Sequence, residues 1–357
     1  MSAQAAPSDE PTTLSTQYDT PLGLAHTTMQ ALKDRIKLHY DLASDYYLNL
    51  WGEHIHHGYW PTPASKASES KETAQLNLIH LLLDIANLSP PSTAGAPATS
   101  QPLRILDVGC GIGGTSRYLA TALGAAVHGI TISGKQVLIA ERLSRSAAAA
   151  PNSTTTEATP ADEPSPVIPL GLKGGSVRFT ELDAEKMGSY FSSSSSSSGG
   201  GEGGEGEGFD VVWISEALSH FPDKALFFRN AQALLRKGGK LVLADWFKAE
   251  GLGEGEFAAD VKPIEDGMLL PPLRTQQEYV DMATAAGLGV LSAPKDISAD
   301  VSKTWDISWS LVQNPSLWAF AFSQGRDGIA FLQAFRAMRR GYANGSFRYA
   351  VMSFVKE

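Results

Sequence analysis

Several features that the sequence lacks or has little of exclude whole classes of protein. A single cysteine, Cys110, excludes an internal disulfide framework and a site built from several thiolates. No run of about 18 apolar residues is present, so we expect no stable membrane insertion. Acidic residues outnumber basic ones, 38 to 29, and the net charge of −9 argues against a nucleic-acid partner, because phosphate binding needs a basic surface. A secretory signal is also lacking, which predicts a cytoplasmic protein.

The first part of the chain is a polar tract followed by two amphipathic segments. Residues 1–30 are rich in Ser, Thr, Pro and Ala without apolar periodicity, which predicts disorder. Apolar residues then recur at helical spacing over 29–50 and 71–88. We therefore expect an N-terminal helical cap over 31–90, ended by the Pro- and Ser-rich stretch at 89–102.

After that break, short apolar runs alternate with helical segments. The runs lie at 104–109, 125–132, 176–183, 209–215 and 240–247, and the helices at 115–123, 134–147 and 223–237, the last expected to stop at Gly238 and Gly239. Such alternation predicts a doubly wound α/β fold with a parallel sheet over 103–247. Two low-complexity tracts, at about 147–175 and 192–208, are expected to be mobile surface insertions.

The remaining part, 248–357, completes the sheet and adds a helical segment. The pattern predicts a helix over 275–288, a strand near 290–294, an aromatic helical stretch from 305 to 343 and a last, antiparallel strand over 347–356. The stretch between the last two strands is too long for a turn. We expect it to fold over the sheet as a lid.

A glycine-rich segment, LDVGCGIGG at 106–114, joins the first predicted strand to the next helix. Gly109, Gly111 and Gly113 permit a tight turn and a close approach of backbone to a ligand, as in nucleotide-binding α/β proteins. NAD binding would predict an acidic residue at the end of the second strand. The chain has polar residues there instead, namely Thr131, Ser133 and Gln136. Thr131 and Ser133 also suit a second role as caps of the following helix.

Residues with catalytic chemistry follow the fourth and fifth predicted strands, where ligands sit in open α/β sheets. Glu216 and His220 come directly after strand four, and a histidine that titrates near neutral pH suits removal of a proton from a nucleophile. The alternative for His220 is a purely structural, packed histidine. Asp245, at the end of strand five, is expected to orient the base or contact the substrate.

Several segments together resemble one family of proteins. The segment IKLHYDLASDYYLNLWGEHIHHGYW at 36–60 and the end RAMRRGYANGSFRYAVMSFVK at 336–356 are similar to the γ-tocopherol methyltransferase family and its relatives that methylate sterols and natural products. The glycine segment with Asp107 before its first glycine, GITIS at 129–133 and the segment from Glu216 to Lys224 resemble the same family. This resemblance covers most of the chain from about residue 34 onward, apart from the two insertions.

The resemblance implies a Rossmann-like methyltransferase fold with S-adenosylmethionine as cofactor. It implies that the cofactor contacts Asp107, Gly109, Gly111, Gly113, Thr131, Ser133, Gln136, Asp183 and Ala184, with Asp183 receiving the adenine amino group. The N-terminal helices and the lid then cover a substrate pocket walled by Tyr40, Trp51, His56, His57 and Tyr59. No metal site is expected from His54, His56 and His57, since ligands this close in sequence do not converge without further partners.

The sequence thus predicts an enzyme that transfers a methyl group to an oxygen or nitrogen of a small hydrophobic or aromatic secondary metabolite. One alternative is methylation of carbon in a sterol or lipid-like substrate, where Glu216 would stabilise a carbocation. An alternative of another class is a regulatory protein that binds S-adenosylmethionine without turnover.

Overall fold

A computed structural model describes residues 51–88, 101–148, 165–197, 208–312 and 326–357, together with separate residues between 33 and 48. The segment 1–30, for which we predict disorder, lies outside the described residues. Within the described ranges the chain forms an eight-stranded sheet flanked by helices on both faces.

The sheet has the strand order β3-β4-β2-β1-β5-β6-β8-β7. Its strands are β1 Arg104–Val108, β2 Ala126–Thr131, β3 Ile168–Leu170, β4 Gly175–Glu181, β5 Phe209–Ser215, β6 Leu235–Lys248, β7 Leu288–Asp296 and β8 Phe347–Lys356. Strands β4, β2, β1, β5 and β6 pair in parallel, whereas β3, β8 and β7 run antiparallel to their neighbours. The doubly wound sheet and its last antiparallel strand are confirmed.

Helices cover both faces because successive residues of each central strand point to opposite sides. The helices are α1 Pro63–Ser68, α2 Lys71–Ile85, α3 Gly114–Leu123, α4 Gly134–Ala148, α5 Met187–Ser197, α6 Lys224–Leu234, α7 Lys262–Gly267, α8 Gln276–Ala285, α9 Ser298–Val301, α10 Lys303–Val312 and α11 Arg326–Asn344. On β5, Val211 and Trp213 join the core under α2 and α3, and Val212 and Ile214 join the core under α6 and α8.

The predicted cap and lid lie on the first of these faces. The described residues from 33 to 48 are helical, and α2 begins at Lys71 after its N-cap Ser70. In the lid, α7 and α11 pack closely, since a Cβ added at Gly267 would lie 2.3 Å from the carbonyl oxygen of Ala330. Trp305 of α10 is also buried in this core. Residues 313–325, within the predicted aromatic helical stretch, lie outside the described residues.

Three local predictions are wrong, each because packing or pairing outweighs composition. Strand β3 lies inside the first predicted insertion, where Ile168 and Leu170 are buried and pair with β4. Helix α5 continues into the serine tract, since a helix that has already formed adds residues more easily than a new one starts. Helix α6 ends at Leu234, before the two glycines, because Leu235 already pairs with Phe209 of β5.

Candidate active site

The glycine-rich segment forms a tight turn between β1 and α3. The backbone N–H groups of Gly109 and Cys110 both donate to the carbonyl oxygen of Ile130, at 2.9 and 3.0 Å, which ties the turn to β2. Gly109 and Gly111 adopt left-handed φ angles of +73° and +54°, which residues with a side chain rarely adopt. A Cβ at Gly111 would meet no atom within 4 Å, so bare backbone faces open space there.

That open space is a cavity of about 860 Å³, here called the loop cavity. Six of the predicted cofactor-binding residues line it: Gly109, Gly111, Thr131, Gln136, Asp183 and Ala184. They follow the ends of β1, β2 and β4, which are neighbours in the sheet. Lys33 of the N-terminal helical residues lies at the same cavity, and its Nζ contacts Asp183 Oδ2 at 2.8 Å and also pairs with Glu185.

The other three predicted cofactor contacts, Asp107, Gly113 and Ser133, do not line the cavity and instead stabilise the segments that do. Asp107 is buried and accepts a hydrogen bond from Ser116 Oγ at 2.5 Å; burial raises the pKa of its carboxyl to about 6. Gly113 lets α3 approach β4, since a Cβ there would lie 2.6 Å from the Phe179 ring. Ser133 Oγ accepts from Gln136 N at 3.1 Å, so Ser133 has the capping role that was its alternative.

A second space of about 800 Å³, here called the aromatic cavity, adjoins the first. Its wall consists of Tyr40, Trp51, Ile55, His56, His57, Glu216, His220, Trp246, Gly267, Met268, Leu269, Thr304, Trp305 and Phe335. This set includes four of the predicted wall residues, and it contains no Lys or Arg. The described residues thus form a space that is mostly apolar and aromatic.

Tyr59 is the predicted wall residue that the structure does not place at the aromatic cavity. Its backbone N–H donates to the carbonyl oxygen of Ala74 at 2.8 Å, and its ring packs against the core with Lys295 Nζ 5.9 Å from the ring centroid. Three wall residues that the sequence did not predict come from β6 and the lid, namely Trp246, Trp305 and Phe335. Trp305 and Phe335 lie in the predicted aromatic helical stretch and Trp246 in the fifth predicted strand, and neither pattern showed which rings face the cavity.

Four residues line both cavities and form what we call the shared wall: Tyr40, Ile55, Glu216 and His220. The Tyr40 hydroxyl lies 3.4 Å from His220 Nε2. Burial, helped by the negative charge of Glu216, raises the pKa of Tyr40 to about 12, so this hydroxyl keeps its proton near neutral pH.

The turn that carries His220 is held from beneath by a buried lysine. His220 ends a 3₁₀ turn, Leu218–His220, and Lys224 Nζ donates to the carbonyl oxygens of Ser219 and Phe221 at 3.1 and 3.0 Å. Burial lowers the pKa of Lys224 to about 8. The ammonium group therefore fixes the backbone on both sides of His220.

Glu216 brings a carboxylate to the shared wall. Its Oε1 accepts hydrogen bonds from His57 N at 2.7 Å and from the Tyr349 hydroxyl at 2.8 Å, and its Oε2 lies 2.9 Å from His57 Nδ1. Burial acts to raise the pKa of this carboxyl, but the charge and hydrogen bonds of His57 outweigh it and hold the pKa below its usual value. Its backbone has a left-handed φ of +54°, a strained conformation for a non-glycine residue that often occurs at functional sites.

Asp245, predicted to contact the base or the substrate, lines neither cavity. It is fully buried, its Oδ2 accepts from the Tyr279 hydroxyl at 2.9 Å, and burial raises the pKa of its carboxyl. The reason is the alternation along β6: Trp246 points to the aromatic cavity, so Asp245 points to the opposite face of the sheet. The predicted contact of Asp245 with the substrate is therefore wrong, and its predicted role in orienting the base stays a prediction.

The described residues offer neither a metal site nor a membrane-spanning helix. In that part of the chain, no group of three His, Cys, Asp or Glu side chains is arranged to hold a metal ion. The same residues contain no helix that is both long and apolar enough to cross a membrane.

Comparison with known proteins agrees with this geometry. The model of the methyltransferase domain family matches residues 74–293. The chain is 26% identical to the chloroplastic tocopherol O-methyltransferase of Arabidopsis thaliana, over 93% of this chain and 84% of that protein. It is 30% identical to 27-O-demethylrifamycin SV methyltransferase of Amycolatopsis mediterranei, over 74% and 77%. The fold is similar to that of a putative sarcosine dimethylglycine methyltransferase from Galdieria sulphuraria, with a TM-score of 0.64 and 18% identity over 89% and 98%.

The chain belongs to the methyltransferase domain family. It is an S-adenosylmethionine-dependent methyltransferase of the tocopherol and natural-product type, which confirms the predicted enzyme class and cofactor. The alternative of a protein without turnover is thereby set aside. The cytoplasmic location stays a prediction, since the name of the Arabidopsis relative places that protein in the chloroplast.

Proposed function

We propose that the protein methylates an oxygen or nitrogen atom of a small, hydrophobic or aromatic secondary metabolite. The observation that carries this proposal is the shared wall, where the loop cavity and the aromatic cavity meet at Tyr40, Glu216 and His220. A cofactor in one cavity and an acceptor in the other would face each other across these side chains, and such positioning supplies much of the catalysis in a transfer between two bound molecules.

The loop cavity fits an adenosine-bearing cofactor. Bare backbone at Gly111 leaves room for a ligand, and the Asp183 carboxylate offers an acceptor for an amino group. S-adenosylmethionine, when bound, supplies an electrophilic methyl group. Displacement of Lys33 from Asp183 Oδ2 would free that oxygen for the cofactor.

In the proposed reaction, His220 removes the proton of the acceptor hydroxyl or amine as the new bond to the methyl group forms and the bond to sulfur breaks. The protonated Tyr40 hydroxyl orients the His220 ring through their 3.4 Å contact. The Glu216 carboxylate would stabilise the positive charge that develops on the acceptor and on His220 as the proton moves. The described residues of the aromatic cavity's wall include no Lys or Arg, which argues for an uncharged acceptor.

The same Glu216 favours a second candidate function, methylation of carbon in a sterol or lipid-like substrate. A carboxylate held ionised at the shared wall would stabilise a carbocation formed when a carbon–carbon double bond attacks the methyl group. In that reaction Glu216 matters more than His220, so the second function predicts that His220→Gln keeps most of its activity, whereas the first predicts that it loses it.

The test is methyl transfer from radiolabelled S-adenosylmethionine to phenols, amines and sterols by the wild type, His220→Gln and Glu216→Gln. We expect turnover of a phenol or amine, and a loss in kcat of about 10²–10⁴-fold in His220→Gln without weaker cofactor binding. His80→Gln, on the exposed side of α2, is the matched control and should keep full activity. Near-normal turnover in His220→Gln would contradict His220 as the base, and transfer to sterols alone would favour the second candidate.

A further inference from the structure

One histidine at the aromatic cavity is not used by the proposed chemistry. His56 lines this cavity but not the loop cavity, so it faces the space for the acceptor and not the space for the cofactor. It is buried, with 8% of its surface exposed. It is therefore placed to meet a part of the substrate other than the methylated atom.

The hydrogen bonding of His56 fixes which ring nitrogen is an acceptor. Nδ1 lies 2.9 Å from the carbonyl oxygen of His57, and because a carbonyl only accepts, Nδ1 carries the proton. Nε2 is then an unprotonated nitrogen in the neutral ring. Burial lowers the pKa of His56, which keeps the ring neutral near pH 7.

The same Nε2 is buried and has no hydrogen-bond partner among the described residues. Buried acceptors are nearly always paired, and an unpaired one costs stability unless a ligand or water satisfies it. The backbone that carries the ring is fixed, since the buried Gln75 side-chain amide donates to the carbonyl oxygens of His54 at 2.5 Å and of His56 at 3.1 Å. The acceptor is thus held in place before a ligand arrives.

We propose that His56 Nε2 accepts a hydrogen bond from a second hydroxyl or N–H group of the substrate, remote from the methylated atom. The preferred acceptor molecule is then a bifunctional one, such as a diol or amino alcohol on an apolar or aromatic frame. This inference rests on the proposed function and deepens it. A molecule without the second donor would leave Nε2 buried and unpaired, and sites of this kind reject such analogues strongly.

The experiment compares kcat/KM for three dihydroxybenzenes (hydroquinone, resorcinol and catechol) with that for phenol. The wild type should use at least one diol about tenfold or more better than phenol, because a missing hydrogen bond to a buried acceptor has roughly this effect. His56→Phe keeps an aromatic ring in the wall and should lose the preference, because kcat/KM falls more for the diol than for phenol. His56→Gln, which restores an amide acceptor, should recover part of it.

His54→Phe is the matched control. His54 is a nearby half-buried histidine whose ring centroid lies 5.3 Å from that of His56. Burial of its ring lowers its pKa to about 3, and its Nδ1 is also unpartnered among the described residues, but His54 lines neither cavity. It should keep the diol preference. A second readout is the nitrogen NMR signal of His56 Nε2 in the complex with S-adenosylhomocysteine, which should shift with the preferred diol and not with phenol.

Equal use of diols and phenol by the wild type, or a diol preference that survives in His56→Phe, would overturn this inference and leave the proposed function intact. No methyl transfer to any of the four probes by protein that binds S-adenosylmethionine would contradict the proposed acceptor class itself, and this inference with it.

Discussion

The loop cavity and the aromatic cavity share four residues, yet the chain builds them differently. The loop cavity is formed mainly by four short segments at the ends of β1, β2, β4 and β5, and Lys33, Ile36, Tyr40 and Ile55 of the N-terminal segment complete it. The aromatic cavity draws on the N-terminal segment, the turn after β5, β6, the segment after α7 and two helices of the lid. The first is determined mainly by local backbone geometry, whereas the second depends on contacts between residues up to about three hundred positions apart.

The largest expected effect is the loss of cofactor binding when the glycine turn of the loop cavity is changed. Gly111→Arg places a long side chain in the open space of the loop cavity and should weaken S-adenosylmethionine binding by more than about 100-fold, measured by calorimetric titration. Gly174→Arg is the matched control, since Gly174 also has a left-handed φ, of +77°, with open space around its Cβ, but lies far from both cavities in the turn before β4. If both variants lose binding equally, backbone strain and not occupation of the cavity is the cause.

The next effect concerns the shared wall. Glu216→Gln removes the negative charge while keeping the shape of the side chain, and should lower kcat by about 10²–10³-fold, as loss of one preorganised electrostatic group does. Cofactor affinity, measured by the same titration, should change only a few-fold because the glycine turn is untouched. A variant with wild-type kcat would show that the Glu216–His57 pair serves the fold alone.

Alkaline pH should affect the aromatic cavity more than the loop cavity. Glu265 lies two residues before the wall residue Gly267 and is buried. Burial raises the pKa of its carboxyl from 4.5 to about 7. The folded state therefore holds this proton more tightly than the unfolded state, so stability falls as pH rises from 4.5 to 7 and stays lower above it. The free-energy difference is at most about 3 kcal/mol.

Glu265→Gln should abolish that fall, as measured by urea unfolding at pH 5 and pH 8, and Glu254→Gln, on the exposed turn before α7, should retain it. In the wild type the KM of the acceptor should rise above pH 7 more than the Kd of the cofactor. An identical pH dependence in wild type and Glu265→Gln would assign the effect to another buried carboxyl, such as Asp107 or Asp245.

The smallest expected effect is on the KM of the acceptor, and it distinguishes the wall residue Trp51 from Tyr59, which packs against the core. Trp51→Leu should raise the KM of the acceptor by up to about tenfold, because an aromatic contact contributes roughly this much. Tyr59→Leu should leave that KM within about twofold, since Tyr59 packs outside the cavity. Equal shifts in both variants would mean that the segment acts as one unit.

The same contrast explains how far the sequence predicts the site. The spacing of the glycines and the polar residues Thr131 and Gln136 identify the loop cavity, because these residues lie close in sequence to the strand ends that form it. Asp107 and Ser133 belong to the same segments but face inward, and sequence spacing alone does not separate a lining residue from its support. Asp245 and Trp246 are adjacent, and only the register of β6 decides which one faces the substrate.

The substrate side was predicted less completely for a physical reason. Trp305 and Phe335 both pack in or against the core while also lining the cavity, and a sequence pattern does not separate these two roles. The Glu216–His57–Tyr349 contacts join β5, the N-terminal segment and β8, and no local pattern records such a meeting. Likewise, only the three-dimensional structure shows that His56 Nε2 has no hydrogen-bond partner among the described residues.

The central claim is that methyl transfer takes place at the shared wall. The most direct test is a crystal structure of the protein with sinefungin, a cofactor analogue that carries an amine where S-adenosylmethionine carries its methyl group. The account predicts that this amine lies at Tyr40, Glu216 and His220 and faces the aromatic cavity. An amine that points away from these three residues, or an analogue bound outside the loop cavity, would contradict it.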